Sequence, residues 1–437
     1  MTKDEGLIRA VGVQGLTAAI INYTIGAGIF VLPALVAGKV GGAAPVIYIV
    51  CAIAMGLIVM CFAEAGSRVS LSGGTYGYAE VAFGPYLGFM VAMCLWFGAN
   101  VLATAAVINI CVDTLTQLSP VFGKPAVRAA FILLTYAILA AINIRGVRIG
   151  SRTVQTVTAA KLIPLLILVI AGAFAIRPEN LAWPGFPSSG EISRASILLI
   201  FAFMGVESAL TPSGEVKNPV RTVPRAIAIA LIAVTILYIL IQVVSQGILG
   251  AELATNTKSP LAEAAGKALG SSGRLLILIG TAISTFGFVA GDMLCSPRGL
   301  FALGRDCLLP TFIGQTHDRF KTPHVAIVIH AVAATAMAVS GSFAGLVALS
   351  VLSTLIVYLI CCLATIQLQR KNVRTDGAIP FSVPGGPVIP ILATAMIIWL
   401  MTASTRAEFI AMGIQVAVLT LIFFIVRVRR VPVPTAS

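Results

Sequence analysis

Charge is scarce in this chain. Asp, Glu, Lys and Arg together make up 10% of its 437 residues, where a soluble domain carries about a quarter. With 58% hydrophobic residues and a mean hydropathy of +1.01, a water-soluble globular protein is excluded. Acidic residues are the scarcer sign, 16 against 29 basic ones, and the net charge is +13. Histidine and tryptophan number three each, and the eight cysteines contain no C-x-x-C pair. Neither a zinc site nor a disulfide framework is signalled, and the cysteines read as small core residues. An intramembrane enzyme would need a nucleophile with a positioned base, or metal ligands. No histidine stands close in sequence to an apolar-span Ser, Cys or Asp, and His317 and His324 fall in a loop. Catalysis is not expected, and nothing calls for a cofactor or a metal.

What the chain has instead is long apolar runs. Stretches such as Ala226–Gln242 and Phe409–Val426 are long enough to cross a hydrocarbon core about 30 Å thick. Twelve spans are predicted in an all-α polytopic membrane protein. The first six are Leu7–Val36, Ala44–Ala65, Tyr86–Cys111, Ala129–Ile144, Thr153–Ile176 and Ile192–Pro212. The second six are Pro224–Leu249, Leu275–Leu300, Pro323–Val339, Phe343–Leu368, Pro387–Ala403 and Phe409–Val426. Starting inside, this arrangement puts 19 of the 29 Lys and Arg residues on the cytoplasmic side and 9 outside, with Lys161 in a span. That bias predicts both termini in the cytoplasm. The basic charge is thereby assigned to topology and to anionic lipid, not to nucleic acid; the tail Arg427–Arg430 would anchor the last span. Pro260–Leu269 is expected to form a short helix lying on the outer surface.

Two spans are not plain apolar helices. The first carries Gly26-Ala27-Gly28 at mid-depth, and the sixth carries Gly205 and Glu207 within Phe203–Ser208. Glycine leaves helical φ/ψ at low cost, and backbone groups bared in lipid persist only where they face a cavity or a ligand. Small residues more often serve close helix packing. Interruptions five spans apart, however, match two repeated halves, and broken helices at corresponding positions mark a transporter's substrate site. Spans one to five (about 7–176) and six to ten (about 192–368) are the predicted repeats, followed by two extra helices (about 387–426), all in one transmembrane domain (1–437). A major facilitator, built of six-span halves, does not fit that pairing.

The residues at these breaks also resemble a known family. Ile25-Gly26-Ala27-Gly28-Ile29-Phe30, Phe62-Ala63-Glu64 with Ser72-Gly73-Gly74-Thr75-Tyr76, and Phe201-Ala202-Phe203-Met204-Gly205-Val206-Glu207-Ser208 are similar to the amino acid–polyamine–organocation (APC) transporters. Gly214–Pro219, Arg221–Pro224 and Leu303-Gly304-Arg305-Asp306 add to the likeness, which runs in order from about residue 15 to 325. The resemblance implies a LeuT-like fold of two inverted five-helix repeats plus two helices, and secondary transport of amino acids or amines.

Within that frame, backbone amides of Ile25–Ile29 at a half-helix N-terminus would hold an α-carboxylate, as the family does. The carbonyls of Phe201, Ala202 and Met204, freed at Gly205, are candidates for the substrate's ammonium. Phe201 and Phe203 are candidate aromatic covers, the alternative being ordinary packing. Phe201 stands where arginine/agmatine exchangers of the family carry tryptophan, a better cation–π partner. Trp96 and Asn100, taken as one helical turn apart, are candidate pocket residues. Lys161 resembles the fifth-span lysine whose ammonium replaces a sodium ion in sodium-independent members; its expected partners are backbone oxygens of the first span and the hydroxyl of Ser284 or Thr285. Its alternative role is a tether between helices. Glu207 is a candidate proton carrier, or else a hydrogen-bonded stitch between helices. Asp292 is expected to pair with Arg298, and Glu64, Arg68, Glu215 and Arg305 are candidate inner-gate charges.

These expectations amount to a sodium-independent permease or exchanger of neutral amino acids in a bacterial-type inner membrane, working by alternating access, with protons as an optional coupling ion. The alternative is a cationic amino acid or polyamine antiporter of the arginine/agmatine type. A channel or sensor on the same scaffold would be told apart by saturable counterflow. Monomer and homodimer are both compatible with the sequence.

Overall fold

The computed structural model describes residues 12–26, 28–69, 75–145, 151–183, 185–209, 216–217, 219–374 and 380–428. Among these, regular structure is helical from end to end, as lipid demands of a chain whose backbone polar groups must be satisfied within each segment. In order, the helices are α1 (Val13–Thr24), α2 (Leu32–Val40), α3 (Ala44–Arg68), α4 (Thr75–Phe83), α5 (Pro85–Met93), α6 (Ala103–Leu118), α7 (Pro125–Ile144) and α8 (Ser151–Gly172). There follow α9 (Ser189–Phe203), α10 (Val206–Ala209), α11 (Pro219–Leu249), α12 (Glu252–Thr255), α13 (Pro260–Arg305), α14 (His324–Ser340), α15 (Phe343–Arg370), α16 (Val388–Met401) and α17 (Arg406–Val428). Seven helical stretches among the described residues are long and apolar enough to cross a membrane. The chain is a multi-pass membrane protein.

The exposed faces say where lipid lies. On α7, Leu133, Leu134 and Ile138 are exposed; on α11, Ile229, Ile232 and Ile236; on α17, Ile410, Ile414, Val418, Leu421 and Ile425. The spacing of three and four residues makes each set one helical stripe, apolar and outward. Inward faces are dense and built on small residues. A β-carbon on Gly98 would lie 2.1 Å from that of Ser353, and one on Gly280 would lie 2.7 Å from the Pro164 ring, so these glycines let helices approach to contact.

The third predicted span is one continuous helical rod, Pro85–Leu118, in which Cys94–Leu102 is π-helical. At its start, Gly84 (φ +96) turns the chain between α4 and α5. The helix expected to lie on the surface is present at Pro260–Leu269, broken from the rest of α13 at Gly270 (φ +71). It is not superficial: Leu261, Ala262, Ala264 and Ala265 are all within 1% of full burial. Both interruptions inferred from the glycines are real. One separates α1 from α2, and the other separates α9 from α10 at Met204-Gly205. Ala27, residues 7–11 of the first predicted span, Glu215 and Arg429-Arg430 lie outside the described residues.

Candidate functional site

The two breaks meet. α1 ends at Thr24, where Ile25 adopts φ −77, ψ 79 and the Gly26 amide turns back to the Thr24 carbonyl at 2.8 Å. The amides that remain for an anion are therefore those opening the 3₁₀ turn Gly28–Phe30, the first donors of a helical segment. On the facing strand of chain, Met204 leaves the helix at ψ 155 and Gly205 takes φ +118, a left-handed conformation that favours glycine. The Phe201 ring approaches Gly28 so closely that a β-carbon there would be 3.2 Å from it. Ile25, Ile29 and Ala202 are 2%, 0% and 2% exposed, while Gly26 and Gly205 at the breaks are half-buried.

One hydroxyl, unanticipated in the sequence, ties the breaks together. Tyr238 on α11 is fully buried, with its phenol oxygen 3.0 Å from the Thr24 carbonyl and 3.0 Å from that of Ala202. Its single proton is shared between the last carbonyls of two broken helices. Of the three carbonyls nominated for an ammonium, that of Ala202 is thus already engaged, leaving those of Phe201 and Met204. Phe203 is also reassigned: it is wholly buried and packs edge-on against Tyr238 at 5.4 Å, a packing aromatic and not a cover. Phe201, edge-on to Phe343, keeps its place beside Gly28. Phe288 comes next to Gly26, 3.6 Å from where its β-carbon would be, and the buried Thr24 hydroxyl beside the break has no hydrogen-bond partner. A buried, unpaired hydroxyl next to bared backbone is a group a polar ligand would satisfy.

Glu207 is buried and held. Both its carboxylate oxygens accept from the Gly205 amide at 3.1 Å, and one accepts from the Tyr358 hydroxyl of α15 at 2.8 Å. Lys161 is 4% exposed; its Nζ donates to the Asn22 side-chain oxygen at 3.0 Å and to the Asn22 carbonyl at 3.3 Å. The backbone oxygen of the first span is as expected, and the Asn22 side chain is additional. The hydroxyl partner is not found. Thr285 donates to the carbonyls of Thr281 and Ala282, and the Ser284 hydroxyl is buried without a partner.

Trp96 and Asn100 stand in the π-helical segment, which closes i→i+5 rings, so a spacing of four still leaves them about one turn apart on the same side of the rod. Trp96 lies against His330, ring centroids 6.3 Å apart, with its buried indole N–H unpaired. Asn100 is partly exposed. Asp292 does not pair with Arg298; it meets His330 at 2.8 Å and the Ser296 hydroxyl. The candidate gate charges among the described residues are paired. Glu64 and Arg68 form a buried i,i+4 pair at 2.7 Å, and Glu64 also accepts from Gln369 and the Val383 amide. Arg305 bonds its neighbour Asp306 at the surface.

Two discontinuous helices presenting bared backbone to each other in a multi-pass membrane protein define the class: a membrane transporter with a central site for a small solute. Comparison with known proteins narrows that. Residues 11–426 match the amino acid permease family, and the chain belongs to it. It is 29% identical to the methylthioribose transporter of Bacillus subtilis (strain 168), covering 97% of this chain and 94% of that protein. It is 27% identical to the serine/threonine exchanger SteT of the same organism, covering 95% and 96%. An uncharacterized transporter of Mycobacterium tuberculosis (strain ATCC 25618 / H37Rv) matches at 28%, covering 93% and 91%. These relatives are transporters, not enzymes.

Proposed function

We infer that this chain is a sodium-independent transporter of small neutral amino acids, a permease or exchanger working by alternating access. The observation that carries the reading is the convergence of the two breaks, with the Lys161 ammonium planted on the last turn of α1 next to them. In this reading the substrate carboxylate takes the amides opening Gly28–Phe30, and its ammonium takes the carbonyls of Phe201 and Met204. The Thr24 hydroxyl is a further polar contact, and Phe201 and Phe288 set the size of the side chain admitted. Glu207, engaged by Gly205 and Tyr358, is not placed to neutralise a second positive charge on the substrate, which disfavours the arginine/agmatine alternative. The Lys161 ammonium, held on the last turn of α1 by Asn22, supplies a fixed positive charge beside the breaks, which supports sodium independence. The architecture that fits is twelve spans in a LeuT-like plan, repeats at about 7–176 and 192–368 with two further helices, both termini in the cytoplasm of a bacterial-type inner membrane.

Counterflow in proteoliposomes tests this. Vesicles loaded in turn with neutral amino acids, arginine, agmatine and methylthioribose are assayed with and without sodium. Exchange of serine, threonine or alanine that is the same in either medium supports the reading. Exchange confined to arginine or agmatine, or dependent on sodium, overturns it. Because an unpaired intramembrane ammonium costs several kcal/mol (about 2.5–3.5 on insertion scales), the structure holds Lys161 firmly to Asn22. Lys161→Met is therefore expected to lower exchange at least about tenfold and to leave it indifferent to sodium.

A further inference from the structure

Asp292 and His330 come from different helices, α13 and α14, and neither has a role in the site described above. His330 is 0% exposed and the Asp292 side chain 7%; Nε2 lies 2.8 Å from Oδ2. The other carboxylate oxygen of Asp292 takes the Ser296 hydroxyl one turn along α13. The second ring nitrogen of His330, Nδ1, is buried without a partner, and so is the Trp96 indole N–H beside the ring. Arg298, the cation nearest in sequence, forms no ion pair among the described residues.

The charge balance of this pair is what makes it more than a staple. With a neutral imidazole, the pair carries one negative charge in an apolar surrounding, stabilised by two hydrogen bonds. One added proton, whichever atom holds it, brings the pair to zero net charge, the form that costs least to bury. No third His, Cys, Asp or Glu joins them, since no cluster of three exists among the described residues. A metal cation lacks ligands here, whereas a proton needs only the pair.

The pair is also wired to the first break. Cys295 follows Asp292 by three residues on the same helix, and its sulfur is 3.6 Å from the Tyr23 hydroxyl. Tyr23 belongs to the last turn of α1, and its own carbonyl abuts Gly205 at the second break. The Tyr23–Cys295 contact thus joins α1 to α13 one turn from Asp292. The other ionisable groups facing the pair are few. Tyr23 and Cys295 meet each other, and on α7 Tyr136 donates to Thr104. Elsewhere on the helices packed against α13 and α14, Lys161 is engaged with Asn22, Asp113 with Arg128, Tyr238 with Thr24 and Ala202, and Cys94 with Gln415, while Cys111 is buried.

We propose that Asp292 and His330 form a proton-binding site, distinct from Glu207 and Lys161, whose occupancy is coupled to substrate movement through Cys295 and Tyr23. The inference rests on the transport reading above, and it makes the protein a proton-coupled carrier.

The test uses proteoliposomes with a trapped pH-sensitive dye, a gradient of whichever amino acid exchanges in the counterflow panel, and external pH varied from 5 to 8. The wild-type protein is expected to move protons with substrate and to show a pH-dependent rate. Asp292→Asn and His330→Gln are expected to lower the ratio of protons to substrate moved at least about tenfold. Ser296→Ala, a small change that removes a hydrogen bond to the carboxylate, is expected to shift the midpoint of the pH profile upward by about half a unit or more. A structural staple would change stability without moving that midpoint. Substrate exchange with no proton movement and a flat profile overturns the proposal and leaves the transport reading standing, as does an unaltered ratio in both pair variants. Should those variants fail to fold, an unshifted midpoint in Ser296→Ala overturns it alone. If no amino acid exchanges in the wild type, the transport reading fails and this proposal with it.

Discussion

The carbonyl oxygen of Tyr23 lies against Gly205 so tightly that a β-carbon at Gly205 would come within 2.8 Å of it. At this point the two broken helices touch backbone to backbone. At φ +118 the position is also one that a side chain strains, by about 1–3 kcal/mol. Gly205→Ala is expected to separate the breaks and to reduce counterflow at least about tenfold, with a lower melting temperature in detergent. Retention of wild-type exchange would mean that the contact has no part in the site.

Tyr238 supplies a second test of the same junction. Replacing it with phenylalanine keeps the ring packed on Phe203 and Tyr48 but takes this donor from the Ala202 carbonyl and leaves that of Thr24 with the Gly26 amide. An unsatisfied buried polar group costs about 1–3 kcal/mol. Tyr238→Phe is expected to destabilise the protein by an amount in that range, read by thermal unfolding in detergent, and to slow exchange. A variant of unchanged stability would show that the Ala202 carbonyl finds another donor.

How much of this was legible in the sequence depends on how local each cause is. The breaks were, because glycine at Gly26, Gly28 and Gly205 acts through its own φ/ψ and its own missing β-carbon. Lys161 and Glu207 were, because an ionisable residue in an apolar run is conspicuous wherever its partner lies. The partners themselves were not. Asp292 and His330 are 38 residues apart, Tyr238 is 214 residues from Thr24, and Glu207 is 151 from Tyr358. Sequence proximity pointed Asp292 to Arg298, and packing of α13 on α14 sent it elsewhere. The π-helical turn at Cys94–Leu102 has no composition of its own, so it could not be read from the sequence. The partners of Glu64 were not legible either, since Gln369 and the Val383 amide reach it from 305 and 319 residues away.

At the start of α9, Ser188 and Glu191 form a reciprocal cap. The Ser188 hydroxyl accepts from the Glu191 amide at 3.3 Å, and the Glu191 carboxylate accepts from the Ser188 amide at 2.8 Å and from its hydroxyl at 2.8 Å. These hydrogen bonds, the backbone one first, hold the Glu191 carboxyl below the usual carboxylate range. A depressed carboxylate stabilises the folded state fully above its unfolded value, and that contribution is lost as pH falls through the depressed one. Since α9 leads directly into the second break, the cap sets where that helix begins. Ser188→Ala is expected to lower stability by about 1 kcal/mol at neutral pH. The same variant keeps the backbone donor and loses the hydroxyl one, so it is expected to reduce the acid-side slope that Glu191 contributes and to narrow the gap to wild type below the carboxylate range, the pH-independent bond to the Glu191 amide keeping it from closing. Thermal unfolding of both proteins between neutral and acidic pH checks this, and a gap between them that stays constant across that range would place the stabilisation outside the carboxylate.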